Sequence, residues 1–343
     1  MAAAALPPGQ GCESHNRGVR AAPGRGWSAA RPSTIIRIMA PSRTGSDDRS
    51  TPLPGEELDL QDPSVVIDLF DRAAEVCLTA PGRAGSVVDL PGRGRLLACG
   101  DLHDHGLNFL RLLRLARLGA SPDHHLLLHE LLHGPHMVNG RDLSVRTLAR
   151  AAALKLEYPG QVHLLLANHD LAQLGGEGII KDGVNVVRAF DAGVDYLYGE
   201  GAEEVRASLG RFLRSFLLAV RCANGVFCCH SLPSPRHLGE FDTTVIDRVP
   251  TETDLKYNGH AYRMVWGRNH TQELADALAK AWGCDLFVMG HQPAEMGYEL
   301  EGETMIVLAS DHEHGVALPV DLARSWNRDD LIENVLPLAS VTL

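Results

Sequence analysis

The sequence predicts an α/β fold, because candidate strands and helices alternate along its central part. Residues 96–99 form a short apolar run typical of a buried strand, and similar runs occur at 126–128 and 162–166. Between these runs, residues 108–118 and 143–156 carry apolar side chains at helical spacing. Strand, helix, strand, helix, strand in this order is typical of a parallel sheet with crossover helices.

Five of the apolar runs end in side chains that can bind a metal ion. These side chains are, in chain order, Asp101 with His103, His129 with Glu130, Asn168 with His169 and Asp170, His230, and His291. The ligand site of an open α/β sheet lies beyond the carboxyl ends of its strands, so the five ends can converge. Oxygen and nitrogen donors without sulfur favour manganese, iron or zinc in a hydrolytic site over a structural thiolate zinc site.

Composition restricts the function classes that are open. The chain has 343 residues, 45% of them hydrophobic and 22% charged, which is enough for one large α/β domain with appendages. A net charge of -11 offers no basic face for nucleic acid. We see no apolar stretch of about 18 residues, so we expect no membrane-spanning helix. The seven cysteines show no C-x-x-C spacing and indicate buried thiols in a reducing, cytoplasmic compartment.

We expect two parts in the chain. Residues 1–55 are rich in Ala, Pro, Gly, Ser and Arg and predict a disordered extension, whereas residues 56–343 predict the main domain. The Arg-rich start resembles an organelle transit peptide, but its prolines interrupt the amphipathic helix that such a peptide needs, so translation that begins at Met39 is the simpler explanation. Asp62 and the following proline predict a helix start. A mostly helical insertion is expected at about 184–221, where it could overhang the crevice.

The apolar residues that precede Asp101 also predict a local pairing. Val87 and Val88, a turn at 91–94, and the run at 96–99 together have the pattern of a β-hairpin. We therefore expect the first site loop to emerge from the second strand of a hairpin.

The ordered motifs resemble those of the calcineurin-like metallophosphoesterases, and within them most closely the phosphoprotein phosphatase branch. That branch carries GDxHG, GDxxDRG, GNHE, a lone His after an apolar strand, and a late GH. The corresponding stretches here are Gly100–Asp104, His129–Pro135, Ala167–Asp170, His230, and Gly290–His291. The resemblance runs from about Leu96 to about Val320.

The resemblance implies a four-layer α-β-β-α sandwich with two divalent metal ions at the strand ends. Manganese is the expected metal, with iron or zinc as alternatives. The implied metal ligands are Asp101 and His103 for the first ion, Glu130 as the bridge, and Asn168, His230 and His291 for the second. The implied general acid is His169, whose imidazole has an ordinary pKa of about 6.5 and can therefore donate near neutral pH.

The second motif departs from the branch at three positions. Glu130 has one more methylene than the family Asp, His133 replaces the Asp that orients the general acid, and Gly134 replaces a phosphate-binding Arg. His129 or His133 could coordinate in place of Glu130.

Two roles are therefore reassigned to other residues. Asp104 and Asp170 both remain candidates for the partner of His169. Arg268 follows Val265-Trp266-Gly267, which resembles the stretch before a phosphate-clamping arginine, so it is a candidate substrate ligand. The alternative for Arg268 is a surface arginine in a loop.

The sequence thus predicts a soluble, metal-dependent phosphoesterase, a hydrolase that cleaves phosphate esters or anhydrides by metal-activated water without a covalent phospho-enzyme. The substrate would be a phosphoprotein, or alternatively a nucleotide or dinucleoside polyphosphate. Gly134 argues mildly against standard phosphoserine or phosphothreonine recognition. A second alternative is a degenerate, metal-binding scaffold. Nucleic acid and membranes are not expected as partners.

Overall fold

The computed structural model describes residues 53–176, 178–181 and 183–343. Apart from its last three residues, the segment predicted to be disordered lies outside these ranges. The first helix, α1 (Pro63–Leu78), begins where the sequence predicts: the Asp62 carboxylate accepts a hydrogen bond of 2.8 Å from the backbone N–H of Ser64, and Pro63 is the first helical residue.

The described residues form two large sheets and a two-stranded ribbon. Across the first sheet the order is β1 (Arg83–Ala84), β2 (Val87–Leu90), β8 (Ala219–Cys222), β9 (Val226–Cys229), β10 (Leu286–Met289), β12 (Met305–Leu308) and β11 (Tyr298–Glu301). Across the second it is β14 (Leu336–Pro337), β13 (Val316–Asp321), β3 (Arg95–Cys99), β4 (His124–His129) and β5 (Val162–Leu165). The ribbon pairs β6 (Ile180–Lys181) with β7 (Val184–Asn185).

The predicted parallel pairing is confirmed for β3, β4 and β5. The predicted hairpin is wrong, because β2 and β3 belong to different sheets. β2 pairs in parallel with β8, with Val87 opposite Ala219, while β3 pairs with β4 and β13. The turn at 91–94 therefore carries the chain from one sheet to the other.

Alternate side chains of β3 enter different cores, as the period of two along a strand requires. Leu96 and Ala98 belong to a buried cluster that includes Val288 of β10, in the opposite sheet. Leu97 belongs to a second cluster that includes Phe109 of the helix after β3. Each sheet thus faces the other sheet on one side and helices on the other, which is the layer arrangement of the predicted sandwich.

Helices and short 3₁₀ segments fill the outer layers and the connections. The other helices are α2 (Gly106–Ala116), α3 (Val145–Glu157), α4 (Asn168–Gly175), α5 (Val186–Tyr198), α6 (Ala202–Arg214), α7 (Glu252–Leu255), α8 (His260–Trp266), α9 (Gln272–Trp282) and α10 (Arg328–Ile332). The segment predicted as a helical insertion contains α5 and α6, and its last residues form part of β8. None of the helices in the described ranges combines the length and hydropathy needed to cross a bilayer.

The two sheets touch at their carboxyl ends. Asp101, two residues after the end of β3, forms a parallel bridge with Ala309, directly after β12, and its carbonyl accepts a hydrogen bond of 3.0 Å from the N–H of Ser310. Gly100 makes this approach possible, because a Cβ there would lie 2.0 Å from the carbonyl oxygen of Leu308. The loops that follow strands of both sheets therefore open onto one common site.

Candidate metal centre

One group of donors gathers around the side-chain oxygen of Asn168, the first residue of α4. Asn168 Oδ1 lies 2.9 Å from His230 Nε2 and 2.9 Å from His291 Nδ1. Glu130 Oε2 lies 3.5 Å from His230 Nε2. All four residues are buried, and ligand atoms around a divalent cation are about 3 Å apart when each metal bond is about 2.1 Å long. The structure thus brings together the four residues that the resemblance places on the second metal, with Glu130 as the shared ligand.

A second group gathers around Asp101. Its Oδ1 lies 3.5 Å from His129 Nδ1 and 3.6 Å from His230 Nδ1, and its two carboxylate oxygens accept from the backbone N–H of His291 at 3.0 and 2.9 Å. Gly290 allows this contact, because a Cβ there would lie 2.3 Å from Asp101 Oδ1. His129 is therefore a member of the site, as one of the alternatives left open in the sequence.

The third group contains His103, Glu130 and His169. His103 Nε2 lies 3.9 Å from Glu130 Oε2, and the backbone N–H of His169 donates to Glu130 Oε1 at 3.1 Å. Asp101 and His103, which the resemblance assigns to one metal, thus belong to different donor groups. Glu130 belongs to two of the three groups, as a bridging carboxylate would.

The groups that neighbour His129 and His230 determine which ring nitrogen of each histidine carries the proton. His129 Nε2 lies 2.9 Å from the carbonyl oxygen of Cys99, which only accepts, so Nε2 carries the proton. His129 Nδ1 can then accept from His230 Nδ1–H at 3.0 Å. His230 Nε2 is left with a lone pair 2.9 Å from Asn168 Oδ1, another acceptor. A cation between these two acceptors removes the conflict, so the local chemistry fits a metal ion.

The buried carboxyl groups also indicate that the site needs a cation. Burial raises the pKa of Glu130 well above its ordinary value, and the neighbouring Asp101 raises it further. Burial also acts to raise the pKa of Asp101, but His230, His129 and His103 together hold it below its ordinary value. Two ionised carboxylates this close are costly in a buried site unless positive charge is present. The arrangement is therefore suited to divalent cations.

Several residues of the site have left-handed backbones, which non-glycine residues rarely adopt. They are His103 (φ 41°), Asp104 (φ 56°), Glu130 (φ 48°), His133 (φ 61°) and His291 (φ 68°). Such conformations cost about 1–3 kcal/mol each and persist where the surrounding structure enforces them, most often at functional sites. At Glu130 this backbone turn allows two consecutive side chains, His129 and Glu130, to reach the same site.

The partner of His169 is His133. The two Nδ1 atoms lie 2.8 Å apart, and His133 Nε2 lies 2.9 Å from Gln173 Oε1. The two partners considered from the sequence are engaged elsewhere: Asp170 Oδ2 accepts from the backbone N–H of Ala167 at 2.9 Å, and Asp104 Oδ1 accepts from the hydroxyl of Thr147. His133 thus occupies the orienting position as well as the sequence position of the family Asp.

The family follows from a comparison with known sequences. The family model described as calcineurin-like phosphoesterase matches residues 94–313. The chain belongs to the calcineurin-like phosphoesterase family. This confirms the family predicted from the ordered motifs.

Individual relatives agree with this assignment. A serine/threonine-protein phosphatase from Caenorhabditis elegans is 24% identical over 263 residues, which are 71% of this chain and 52% of the relative. The chain thus spans about half the length of that curated relative. The relative supports the predicted phosphoprotein phosphatase branch.

Solved structures confirm the fold. A serine/threonine phosphatase from Saccharomyces cerevisiae with similarity to human phosphatase PP5 superposes with a TM-score of 0.60 at 15% identity, over 80% of this chain and 88% of that one. A cold-active protein-tyrosine phosphatase from a psychrophilic Shewanella species gives a TM-score of 0.50 at 18% identity, over 73% and 80% of the two chains.

This member of the calcineurin-like phosphoesterase family cannot carry the usual arginine of the second motif without rearrangement. A Cβ at Gly134 would lie 2.6 Å from Asp104 Cβ and 2.8 Å from the carbonyl oxygen of His103. Two cations act on the site from other directions. Burial lowers the pKa of His291 to about 3, and the positive charge of Arg268 contributes to this decrease. In the same way, the charge of Lys181 in β6 follows burial in lowering the pKa of His103.

Asp170 makes the stability of the metal-free protein depend on pH. Burial raises the pKa of this carboxyl group from 3.8 to about 7, and its Oδ1 has no hydrogen-bond partner in the described structure. The folded protein therefore keeps a proton that the unfolded chain releases near pH 4, and its free energy of unfolding falls as pH rises from about 4 to 7, by about 4 kcal/mol. Urea denaturation in EDTA should show a flatter pH dependence for Asp170→Asn than for the wild type; parallel curves would contradict this.

Proposed function

We propose that the protein is a metal-dependent phosphoesterase of the phosphoprotein phosphatase type that uses two divalent cations, most simply manganese. The observation that carries this proposal is the gathering of Glu130, Asn168, His230 and His291, in which two acceptors, His230 Nε2 and Asn168 Oδ1, lie 2.9 Å apart with no proton between them. Asp101 and His103, with His129 beside them, would complete the first cation site. Metal ligands of this composition favour hydrolysis.

The chain's own residues divide the remaining work. When bound, the cations would supply Lewis acidity, which lowers the pKa of a water molecule and neutralises charge that develops on the phosphoryl oxygens. Glu130 would be shared by two donor groups, since it lies next to His103 of one group and His230 of the other. Burial lowers the pKa of His169 from 6.5 to about 2, so the ring is neutral at rest and does not store a proton as its ordinary pKa would predict. The ring nitrogen that does not face His133 would therefore take up a proton from water and pass it to the leaving oxygen.

For the substrate we propose a phosphorylated protein. Gly134 leaves the position of the usual arginine without a side chain, so the phosphate would be bound by cations from other segments. Two exposed cations have charges that act on histidines of the site: Arg268, two residues after α8, and Lys181, on the exposed ribbon. A guanidinium can hold two phosphate oxygens at once, which favours Arg268 as the main contact.

Arg268→Ala should raise KM for a phosphopeptide about tenfold, with a smaller change in kcat, because a charge-assisted hydrogen bond to phosphate contributes about 1.5–3 kcal/mol. Steady-state kinetics measure this effect. Arg72→Ala, which removes an exposed arginine of α1 paired with Asp68, is the matched control. An unchanged KM would make Arg268 a surface arginine without a role in binding.

We also propose a cytoplasmic location. The six cysteines within the described residues are all free and buried, and burial raises the pKa of the Cys99 thiol to about 12. Buried thiols of this kind pack as small apolar side chains, as is common in reducing compartments.

The function is tested with the full chain after manganese loading. Hydrolysis of a phosphoserine or phosphothreonine peptide, abolished by EDTA and restored by manganese, would support the proposal. Faster hydrolysis of diadenosine tetraphosphate than of the peptide would favour the nucleotide alternative. Bound metal without hydrolysis of the peptide, the dinucleotide or p-nitrophenyl phosphate would establish the protein as a metal-binding scaffold.

A further inference from the structure

A chain of hydrogen bonds leads from α5 to His169. The Asp191 carboxylate accepts from Gln173 Nε2–H at 2.9 Å. Gln173 Oε1 lies 2.9 Å from His133 Nε2, and His133 Nδ1 lies 2.8 Å from His169 Nδ1. The chain therefore connects α5, the end of α4, the loop after β4 and the start of α4 in one continuous path.

Asp191, at one end of this path, determines which atom donates in each of its hydrogen bonds. A carboxylate only accepts, so Asp191 determines that Gln173 points its NH₂ group outward and its oxygen at His133. That oxygen accepts, so His133 carries its proton on Nε2 and has a lone pair on Nδ1. His169 must then donate from Nδ1, which leaves the lone pair on its Nε2.

The opposite tautomer of His133 is disfavoured by its surroundings. It would place two acceptors, His133 Nε2 and Gln173 Oε1, 2.9 Å apart. A doubly protonated ring would avoid this conflict, but burial lowers the pKa of His133 to about 4. The ring is fully buried and packs edge-on against Phe190 of α5, with centroids 5.8 Å apart.

We propose that Gln173 and Asp191 are positioning residues that hold His133 in the tautomer that accepts from His169 Nδ1. This inference rests on the proposed function: with its Nδ1–H donated to His133, His169 would use the Nε2 lone pair to take a proton from water and pass it to the leaving oxygen, which restores the lone pair. A carboxylate at position 133 would accept from His169 without help. An imidazole accepts only at the nitrogen that lacks the proton, so it needs neighbours that fix the proton on the other nitrogen.

The test is Gln173→Met in the full, manganese-loaded chain. Methionine has a similar shape but does not hold the proton on His133 Nε2. We expect kcat for phenyl phosphate to fall about 10-fold to 100-fold, the range typical of a lost outer hydrogen-bond partner. The rate with p-nitrophenyl phosphate should change far less, because p-nitrophenolate leaves without being protonated. Metal content should be unchanged.

Two further variants separate positioning from general damage. Gln272→Met removes another half-buried glutamine, one that donates to Asp276 at 2.7 Å far from the site, and should leave the ratio of the two rates unchanged. The double variant Gln173→Glu with Asp191→Asn exchanges carboxylate and amide along the same path. The introduced carboxylate accepts from His133, so phenyl phosphate hydrolysis should recover to within a few-fold of the wild type.

A spectroscopic measurement tests the tautomer without activity. In ¹⁵N spectra of the metal-free wild-type protein, His133 should carry its proton on Nε2. In Gln173→Met the neutral ring should exchange between the Nδ1–H and Nε2–H tautomers. Equal losses with both esters, no loss with either, or a wild-type His133 protonated on Nδ1 would each overturn the inference. If the loaded wild type hydrolyses no ester, the proposed function and the proton-transfer part of the inference fail together, while the spectra still decide the tautomer.

Discussion

Glu130→Gln should lower kcat by about 10³-fold and reduce the bound manganese from two equivalents to at most one. Charge stabilisation by a metal ion is a matter of several kcal/mol, and each 1.36 kcal/mol corresponds to a factor of ten in rate. Glu130 Oε2 lies 3.9 Å from His103 Nε2 and 3.5 Å from His230 Nε2, and of the two carboxylates in the three donor groups only Glu130 belongs to more than one group. Manganese titration by calorimetry and steady-state kinetics measure the two effects.

The same substitution should stabilise the metal-free fold. Burial and Asp101 raise the pKa of Glu130, so ionising this group costs free energy when no cation is bound, and an amide avoids that cost. Asp142→Asn is the matched control for manganese binding, which it should leave unchanged. The Asp142 carboxyl group is also buried, with its pKa raised to about 6, but it belongs to none of the donor groups. Two equivalents of manganese on Glu130→Gln would show that Glu130 is not a bridging ligand.

His169→Ala should lower kcat by about 10²-fold to 10⁴-fold while manganese remains bound, because general acid catalysis contributes a factor of this size. The loss should be larger for phenyl phosphate than for p-nitrophenyl phosphate, whose leaving group needs little protonation. Rates with both esters and elemental analysis of the purified variant measure this.

The competing role for His169 is that of a metal ligand, since it forms a donor group with His103 and Glu130. Loss of a manganese equivalent in His169→Ala would establish that role and exclude the proposed one. His125→Ala is the control, because His125 is similarly buried, at 7% exposed against 8% for His169, and also faces a histidine, His163, at 3.2 Å. It lies near the start of β4, away from the site.

The strands that carry the site could be predicted because each is a short apolar run with an abrupt polar end. The hairpin could not, because two apolar runs around a turn look the same whether they pair or diverge. β2 finds its partner in β8, whose residue Ala219 lies opposite Val87. That pairing depends on a segment more than a hundred residues away, which local pattern does not reveal.

The donor residues were visible in the sequence, but their grouping was not. His129 and Glu130 are consecutive and would normally point to opposite faces of a strand. The left-handed backbone of Glu130 lets both reach the site. The partner of His169 had a sequence signal, since His133 stands where the family has an orienting Asp. The hydrogen bonds from His133 to Gln173 and from Gln173 to Asp191 had no sequence signal, because folding alone brings these residues of three different segments together.

An anomalous difference map from a manganese-soaked crystal tests the central claim most directly. The account predicts two peaks about 3.5–4 Å apart, with Glu130 between them and one peak enclosed by Asn168, His230 and His291. A map with a single peak, or with none among these residues, would contradict it.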